Sequence, residues 1–201
     1  FIFNNLLFLG AAFAVFLGTI FPILSEAVTG EKILVGPPYF NKVNTPIALV
    51  LVLLMGVGPL ISWRKASREN LIKNFFVPTV VGVVTGILLF SLGIDDFYAL
   101  MAYALSAFVL MTVFTEFFRG IRVRAKRGEN PLLAFGRLVS KNKRRYGGYI
   151  VHVGVVLMVI GITSSSVFVT EKQVTLSKGD SVTLKDYTFT YNGIKQYTTN
   201  A

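Results

Sequence analysis

The sequence predicts an all-α, polytopic membrane protein of five transmembrane helices, followed by the start of a small external β domain. Three observations carry this prediction. Of 201 residues, 53% are hydrophobic and only 15% are charged, against about 25% charged in an average globular chain. The charges are spaced so that five windows contain none: Phe1–Ser25, Val43–Trp63, Asn74–Ile94, Phe97–Thr115 and Tyr146–Thr170, with lengths of 25, 21, 21, 19 and 25 residues. Beyond Thr170 the apolar residues alternate with polar ones at a period of two, the signature of strands. A mean hydropathy of +0.64 agrees.

A hydrocarbon core about 30 Å thick requires roughly 20 apolar residues at about 1.5 Å of rise each. The windows therefore place helices near 6–24, 43–63, 75–92, 98–118 and 149–168 within a transmembrane domain covering 1–170. No basic segment precedes the first window, which argues against a signal peptide. Buried helices of a soluble bundle would show charged faces, and these windows have none. In the third span Gly82 and Gly86 form a G-x-x-x-G pair. The pair either lets two backbones approach closely or reflects the ordinary glycine content of membrane helices. Between the fourth and fifth spans, Asn130-Pro131 offers an N-cap followed by a first-turn proline. Leu132, Phe135, Leu138 and Val139 follow at helical spacing among basic residues. A short amphipathic helix over 130–140, lying on the inner leaflet and seating the loop, is expected there.

The β-rich segment is expected over 171–201, with strands at Gln173–Leu176, Ser181–Leu184 and Tyr187–Tyr191. Turn signals stand at Ser177-Lys178-Gly179-Asp180 and at Asn192-Gly193, the latter a strong hairpin cue. The chain opens on Phe1 and ends at Ala201 in a strand-like stretch, so it reads as a piece of something longer.

The net charge is +10, from 20 Lys+Arg against 10 Asp+Glu. In a soluble chain that surplus would suggest a nucleic-acid partner, but here it is sorted by loop. The first inner loop holds Arg64, Lys65, Arg68 and Lys73 against Glu69, and loop 116–145 holds ten basic residues against Glu116 and Glu129. Outer loops are neutral or acidic, with Asp95-Asp96 reading as a solvated turn. One face totals 14 basic and 3 acidic residues, and the other 6 and 7. By the positive-inside rule the N-terminus is cytoplasmic and the tail external. The charge thus signals orientation, and nucleic-acid binding gains no support.

Cysteine is absent. That excludes disulfides, thiolate metal sites, a cysteine nucleophile and covalent haem attachment within this chain. A single His removes most zinc sites as well. That residue, His152, stands three residues into the fifth span, where an imidazole usually has a partner and often a function. Gly148 lies one turn before it, Val155 and Val156 one turn after, and Val159 beyond. A glycine leaving room beside the ring and an apolar wall of valines would suit a flat macrocycle whose iron takes a neutral nitrogen. Lys143, Arg144 and Arg145, just before, could pair with haem propionates. The alternative is a histidine hydrogen-bonded to a neighbouring Ser, Thr or carbonyl. A bis-imidazole iron would need a second His from outside this sequence, or a Met such as Met55, Met101 or Met111 in its place. Glu116 with Arg119 at i+3 reads as an ordinary helix pair. Gly36-Pro37-Pro38-Tyr39-Phe40-Asn41 reads either as an interfacial aromatic anchor or as a cover over a cofactor or partner.

Several segments together resemble one family. They are Phe3-Asn4-Asn5, Phe16-Leu17-Gly18-Thr19 with Phe21-Pro22, Gly36 through Asn41, Gly56-Val57-Gly58-Pro59-Leu60 with Trp63-Arg64, and Arg144-Arg145-Tyr146-Gly147-Gly148-Tyr149-Ile150-Val151-His152-Val153-Gly154. In order and spacing they resemble the C-terminal half of the CcmF family, the haem lyase component of bacterial cytochrome c maturation, and the likeness covers essentially the whole chain.

The resemblance implies a haem-handling protein of the bacterial inner membrane, with a periplasmic C-terminal tail. Its members take haem from a periplasmic haem chaperone and promote attachment to apocytochrome c, alongside a thiol-handling partner and other maturation subunits. It also implies a non-covalent haem b held by two transmembrane histidines, of which His152, in its Tyr-Gly-Gly-x-x-x-His context, matches the second. The family's tryptophan-rich external segment and substrate-haem histidines have no counterpart here, and Trp63 is the single tryptophan. Catalysis is therefore not assigned to this chain alone. A cytochrome b-like quinol oxidoreductase subunit, which usually presents two or more histidines on a helix pair, and a cofactor-free scaffold or transporter part are the rival readings.

Overall fold

The computed structural model describes residues 2–60, 68–169 and 171–194. It contains six helices, α1 (Ile2–Thr29), α2 (Pro37–Leu60), α3 (Arg68–Ser91), α4 (Phe97–Ala125), α5 (Pro131–Lys141) and α6 (Lys143–Phe168), and two strands, β1 (Ser181–Leu184) and β2 (Tyr187–Thr190). All helices but α5 are long and apolar enough to cross a membrane. Trp63, Arg64 and Lys65 lie outside the described residues, as does the end of the second expected span.

The helices run past the uncharged windows. α4 continues two turns beyond 118, α6 starts at Lys143 and α3 at Arg68. Arg and Lys are good helix formers, so a charge ends the stretch that can sit in hydrocarbon without ending the helix. The start of α4 is capped by Asp96, whose carboxylate accepts from Ala99 N at 2.7 Å. Both aspartates are exposed beside the turn, as expected, and Asp96 in addition serves as the helix cap. Prolines 22, 46, 59 and 78 lie inside helices, a placement membrane helices tolerate.

The chain forms two compact units, divided at Ser164/Ser165. In the first unit α4 is the central helix, packed on α2 and α3, with α1 against α2 and α5 against α4. Two side-chain pairings lay α6 antiparallel to α4: Arg145 meets Glu116, and Tyr103 Oη lies 2.8 Å from Ser164 Oγ. The core comprises Val52, Leu60, Phe108, Val109, Val113, Leu138, Tyr146, Tyr149 and Val156.

Close approach depends on glycine at three of these contacts. A Cβ on Gly18 of α1 would lie 2.7 Å from the Tyr39 ring, one on Gly56 of α2 2.5 Å from the Phe108 ring, and one on Gly82 of α3 2.9 Å from the Ala104 carbonyl oxygen. The Gly82–Gly86 pair therefore faces α4, and Gly82 makes the closer contact. Tyr39 and Phe40 belong to the first turn of α2 and seat on α1, where Tyr39 Oη donates to the Ala14 carbonyl at 3.3 Å. The 36–41 segment thus leads into the first turn of α2, which packs against helix α1.

α5 is capped by Asn130, which accepts from Leu132 N at 3.0 Å. It buries Ala134 and Leu138, and exposes Leu132 and Leu133. At its approach Glu129 meets Arg124 and Arg137, each at 3.3 Å. Partial desolvation pulls the Glu129 carboxyl upward, but the hydrogen bonds and charges of Arg124 and Arg137 outweigh it and hold the group below the usual carboxylate range.

In the second unit β1 and β2 form an antiparallel hairpin, with Val182 opposite Phe189 and Leu184 opposite Tyr187. Its turn is Lys185-Asp186, with Lys185 in the left-handed region at φ 51°. The expected turn at Ser177–Asp180 is present and is closed by Ser177 N donating to Asp180 Oδ2 at 2.8 Å. Gln173–Leu176 is not a strand. It has no pairing partner among the described residues, and alternation alone does not make a ladder.

Candidate functional site

α6 carries two features of functional interest, a cluster around Glu116 and the histidine one turn further along. The buried stripe of α6 consists of Tyr146, Tyr149 and Val156, with Val153 and Ile160 partly buried beside it. Spacings of three and four keep these residues on one face. His152 falls at the edge of that stripe and is half-buried. Its Nδ1 is buried and has no hydrogen-bond partner among the described residues. The alternative expectation, a histidine satisfied by a neighbouring Ser, Thr or carbonyl, is not met at that atom.

The flank beside His152 is open among the described residues. A Cβ at Gly148 would meet nothing within 4 Å. Val155 and Val159 are half-buried, Val159 packing against the core, and Val156 is fully buried within it. Of the methionines weighed as second ligands, Met55 packs against the core and Met101 is exposed. A separate cleft of about 360 Å³ is lined by Thr115, Phe118, Arg119, Arg122, Val123 and Lys126, without His152. Among the described residues no three His, Asp or Glu side chains converge on a metal.

Near the start of α6 the site is electrostatic. Glu116, within α4, is only 4% exposed. Removing a carboxylate from water costs several kcal/mol unless it is paired, and here it has three partners. Arg145 Nη2 donates to its Oε2, Tyr149 Oη donates to the same oxygen at 3.4 Å, and Arg119 Nη1 lies 3.3 Å from Oε1. Arg145 Nε also donates to Tyr149 Oη at 3.0 Å, and its Cζ stands 5.8 Å from the Tyr146 ring centre. Arg119 Nη2 donates to Asn74 of α3 at 2.8 Å. Three helices are thereby joined through one carboxylate.

The sequence identified Glu116–Arg119 and missed the partner 29 residues later. The available signal was that Glu116 stands alone as an acid against an apolar window, so it needs compensation from another helix. Arg145, expected beside haem propionates, has its guanidinium committed to Glu116 and Tyr149. Arg144 is exposed and has no hydrogen-bond or ion-pair partner among the described residues.

An imidazole with an unsatisfied buried nitrogen, set between an open glycine flank and apolar walls, is the kind of site that fits a haem. The CcmF protein of Pseudomonas aeruginosa is 31% identical over 196 residues, covering 96% of this chain and 28% of its own length. That of Escherichia coli is 27% identical over 198 residues, with 97% and 28% covered. NrfE of Haemophilus influenzae, also called a cytochrome c-type biogenesis protein, is 29% identical over 192 residues, with 93% and 27% covered. The chain is a homologue of the CcmF proteins.

It spans less than a third of the length of these relatives. No family model matches the sequence, and no solved structure matches it.

Proposed function

We propose that this chain is part of a membrane-embedded, haem-handling protein of cytochrome c biogenesis, and that His152 is one axial ligand of a non-covalent haem b. The observation that carries the reading is the buried, unpartnered Nδ1 of His152, the single histidine, beside the open flank at Gly148. The printed names of the relatives support the general role. When bound, the haem supplies an iron that takes up and passes on one electron.

The chain's own residues divide the remaining work. His152 presents a neutral nitrogen, Gly148 leaves space for the macrocycle edge, and Val155 and Val159 keep water from it. Arg144, exposed and unengaged, is the guanidinium available to a propionate. Arg145 is engaged by Glu116 and Tyr149 instead. The second axial ligand comes from outside this chain. The membrane is the bacterial inner membrane, with the N-terminus of the chain cytoplasmic and the tail after Thr170 periplasmic, facing a haem chaperone, apocytochrome c with its thiol-handling partner and other maturation subunits.

An absorbance spectrum of the full-length protein tests the ligand. His152→Ala removes the reduced b-type band and abolishes maturation of external cytochrome c; a band that persists in full overturns the assignment. A reporter fused after Lys126 is active only in a cytoplasmic-sensing format, and external activity reverses the orientation.

A further inference from the structure

We infer that Glu116 is a positioning residue for His152, acting through Arg145 and Tyr149 to set the rotation of α6 about its axis. The inference rests on the proposed ligand role of His152. A ligating histidine is ordinarily held by a hydrogen bond from its second ring nitrogen to a carboxylate or carbonyl. Among the described residues neither ring nitrogen of His152 makes such a bond, the buried Nδ1 included, so whichever nitrogen faces the iron, the direction of the ring is set by its helix. Arg145, Tyr149 and His152 stand at i, i+4 and i+7, within about 60° of one another around the helix and spread over about 10 Å of its length. No loop or proline intervenes, so a rotation fixed at Arg145 is transmitted to His152.

Glu116 is suited to fixing it. Its carboxylate is 4% exposed and takes both α6 donors on one oxygen, Oε2, while Arg119 holds Oε1. Arg119 is in turn tied to Asn74 of α3, so the carboxylate is braced from two helices. At a helix radius of about 5 to 6 Å with side chains, a 20° turn of α6 would move the imidazole by roughly 2 Å. Displacements of about 1 Å already separate a productive constellation from a loose one.

The test uses the full-length protein in membranes. Haem retained, the reduced band position and the ferric electron-paramagnetic-resonance signal are read for Glu116→Ala and Glu116→Gln. Packing of α4 on α6 is read independently by a short bis-maleimide across Tyr103→Cys and Ser164→Cys, since this chain has no cysteine of its own. Glu116→Ala should lose roughly tenfold or more of the bound haem or shift its resonance signal, while the cross-link persists. Glu116→Gln, which keeps an acceptor for Arg145 and Tyr149, should fall between. An unchanged haem signal in Glu116→Ala overturns the inference. If Glu116→Ala loses the cross-link, Glu116→Gln decides: an altered haem signal with the cross-link intact supports positioning, and any other result overturns it. A band that survives His152→Ala overturns the ligand reading itself, which separates that failure from this one.

Discussion

The ring of Phe108 in α4 occupies the space that a side chain at Gly56 of α2 would need. A Cβ at position 56 would lie 2.5 Å from the ring, and Phe108 itself is 6% exposed. The ring also stacks on Phe75 of α3 at 6.4 Å between centres, so it cannot swing aside freely. Within lipid, where chain and solvent are equally apolar, such van der Waals complementarity rather than the hydrophobic effect holds helices together.

Gly56→Ala should therefore destabilise the bundle, by about 1–3 kcal/mol for overpacking, and lower the unfolding temperature of the detergent-solubilised protein. Shortening the opposing ring should relieve the clash. The double variant Gly56→Ala with Phe108→Leu is expected to lose less than the two single variants combined. Strict additivity would show that the two positions do not touch.

The two glycines of the third helix make a sharper contrast. A Cβ on Gly82 would press on the backbone oxygen of Ala104 at 2.9 Å, whereas one on Gly86 would make an ordinary 3.6 Å contact with the Ala104 side chain. Backbone cannot yield as a side chain does. Gly82→Ala should lower the unfolding temperature, and Gly86→Ala should leave it unchanged or raise it slightly through helix propensity, worth about 1 kcal/mol. Equal effects of the two substitutions would contradict the observed α3–α4 crossing.

Glu129 gives a pH dependence. Arg124 and Arg137 hold its carboxyl below the usual range, so its folded value lies below its unfolded one. The contribution is then fully present above the unfolded value and is lost as pH falls through the folded one. Amide protection around Lys126–Asn130, corrected for intrinsic exchange, should hold from neutral pH down to the ordinary carboxylate range and decline as the pH falls below it. In Glu129→Gln the protection should be lower at neutral pH and flat with pH, meeting the parent curve only at the acid end. A pH profile identical to the parent chain would remove Glu129 from the account.

Legibility in the sequence followed the range of the interaction. The five apolar windows foretold five apolar helices because the need to exclude charge from hydrocarbon is a property of each segment alone. Asn130-Pro131 foretold the start of α5, since a cap is satisfied within three residues. The hairpin of β1 and β2 was legible in its strands but not in its turn, because Lys185-Asp186 carries no glycine or asparagine to announce a left-handed residue. Tyr39 and Phe40 looked like interfacial anchors; that they fill a hollow at Gly18 depends on how α1 and α2 cross.

The same division holds at the candidate site. The sequence alone determined that His152 is the single imidazole, that Gly148 stands one turn before it, and that both lie in an apolar helix. Those are local facts of spacing and composition. Only the tertiary structure decided that Val156 is fully buried in the core while Val155 stays half-buried beside it. It also decided that Arg145 is spent on Glu116 while Arg144 is left unengaged. The physical reason is that a buried carboxylate takes whichever donor the packing brings to it, and the helix that supplies that donor is set by the fit of glycines and rings across α2, α3 and α4.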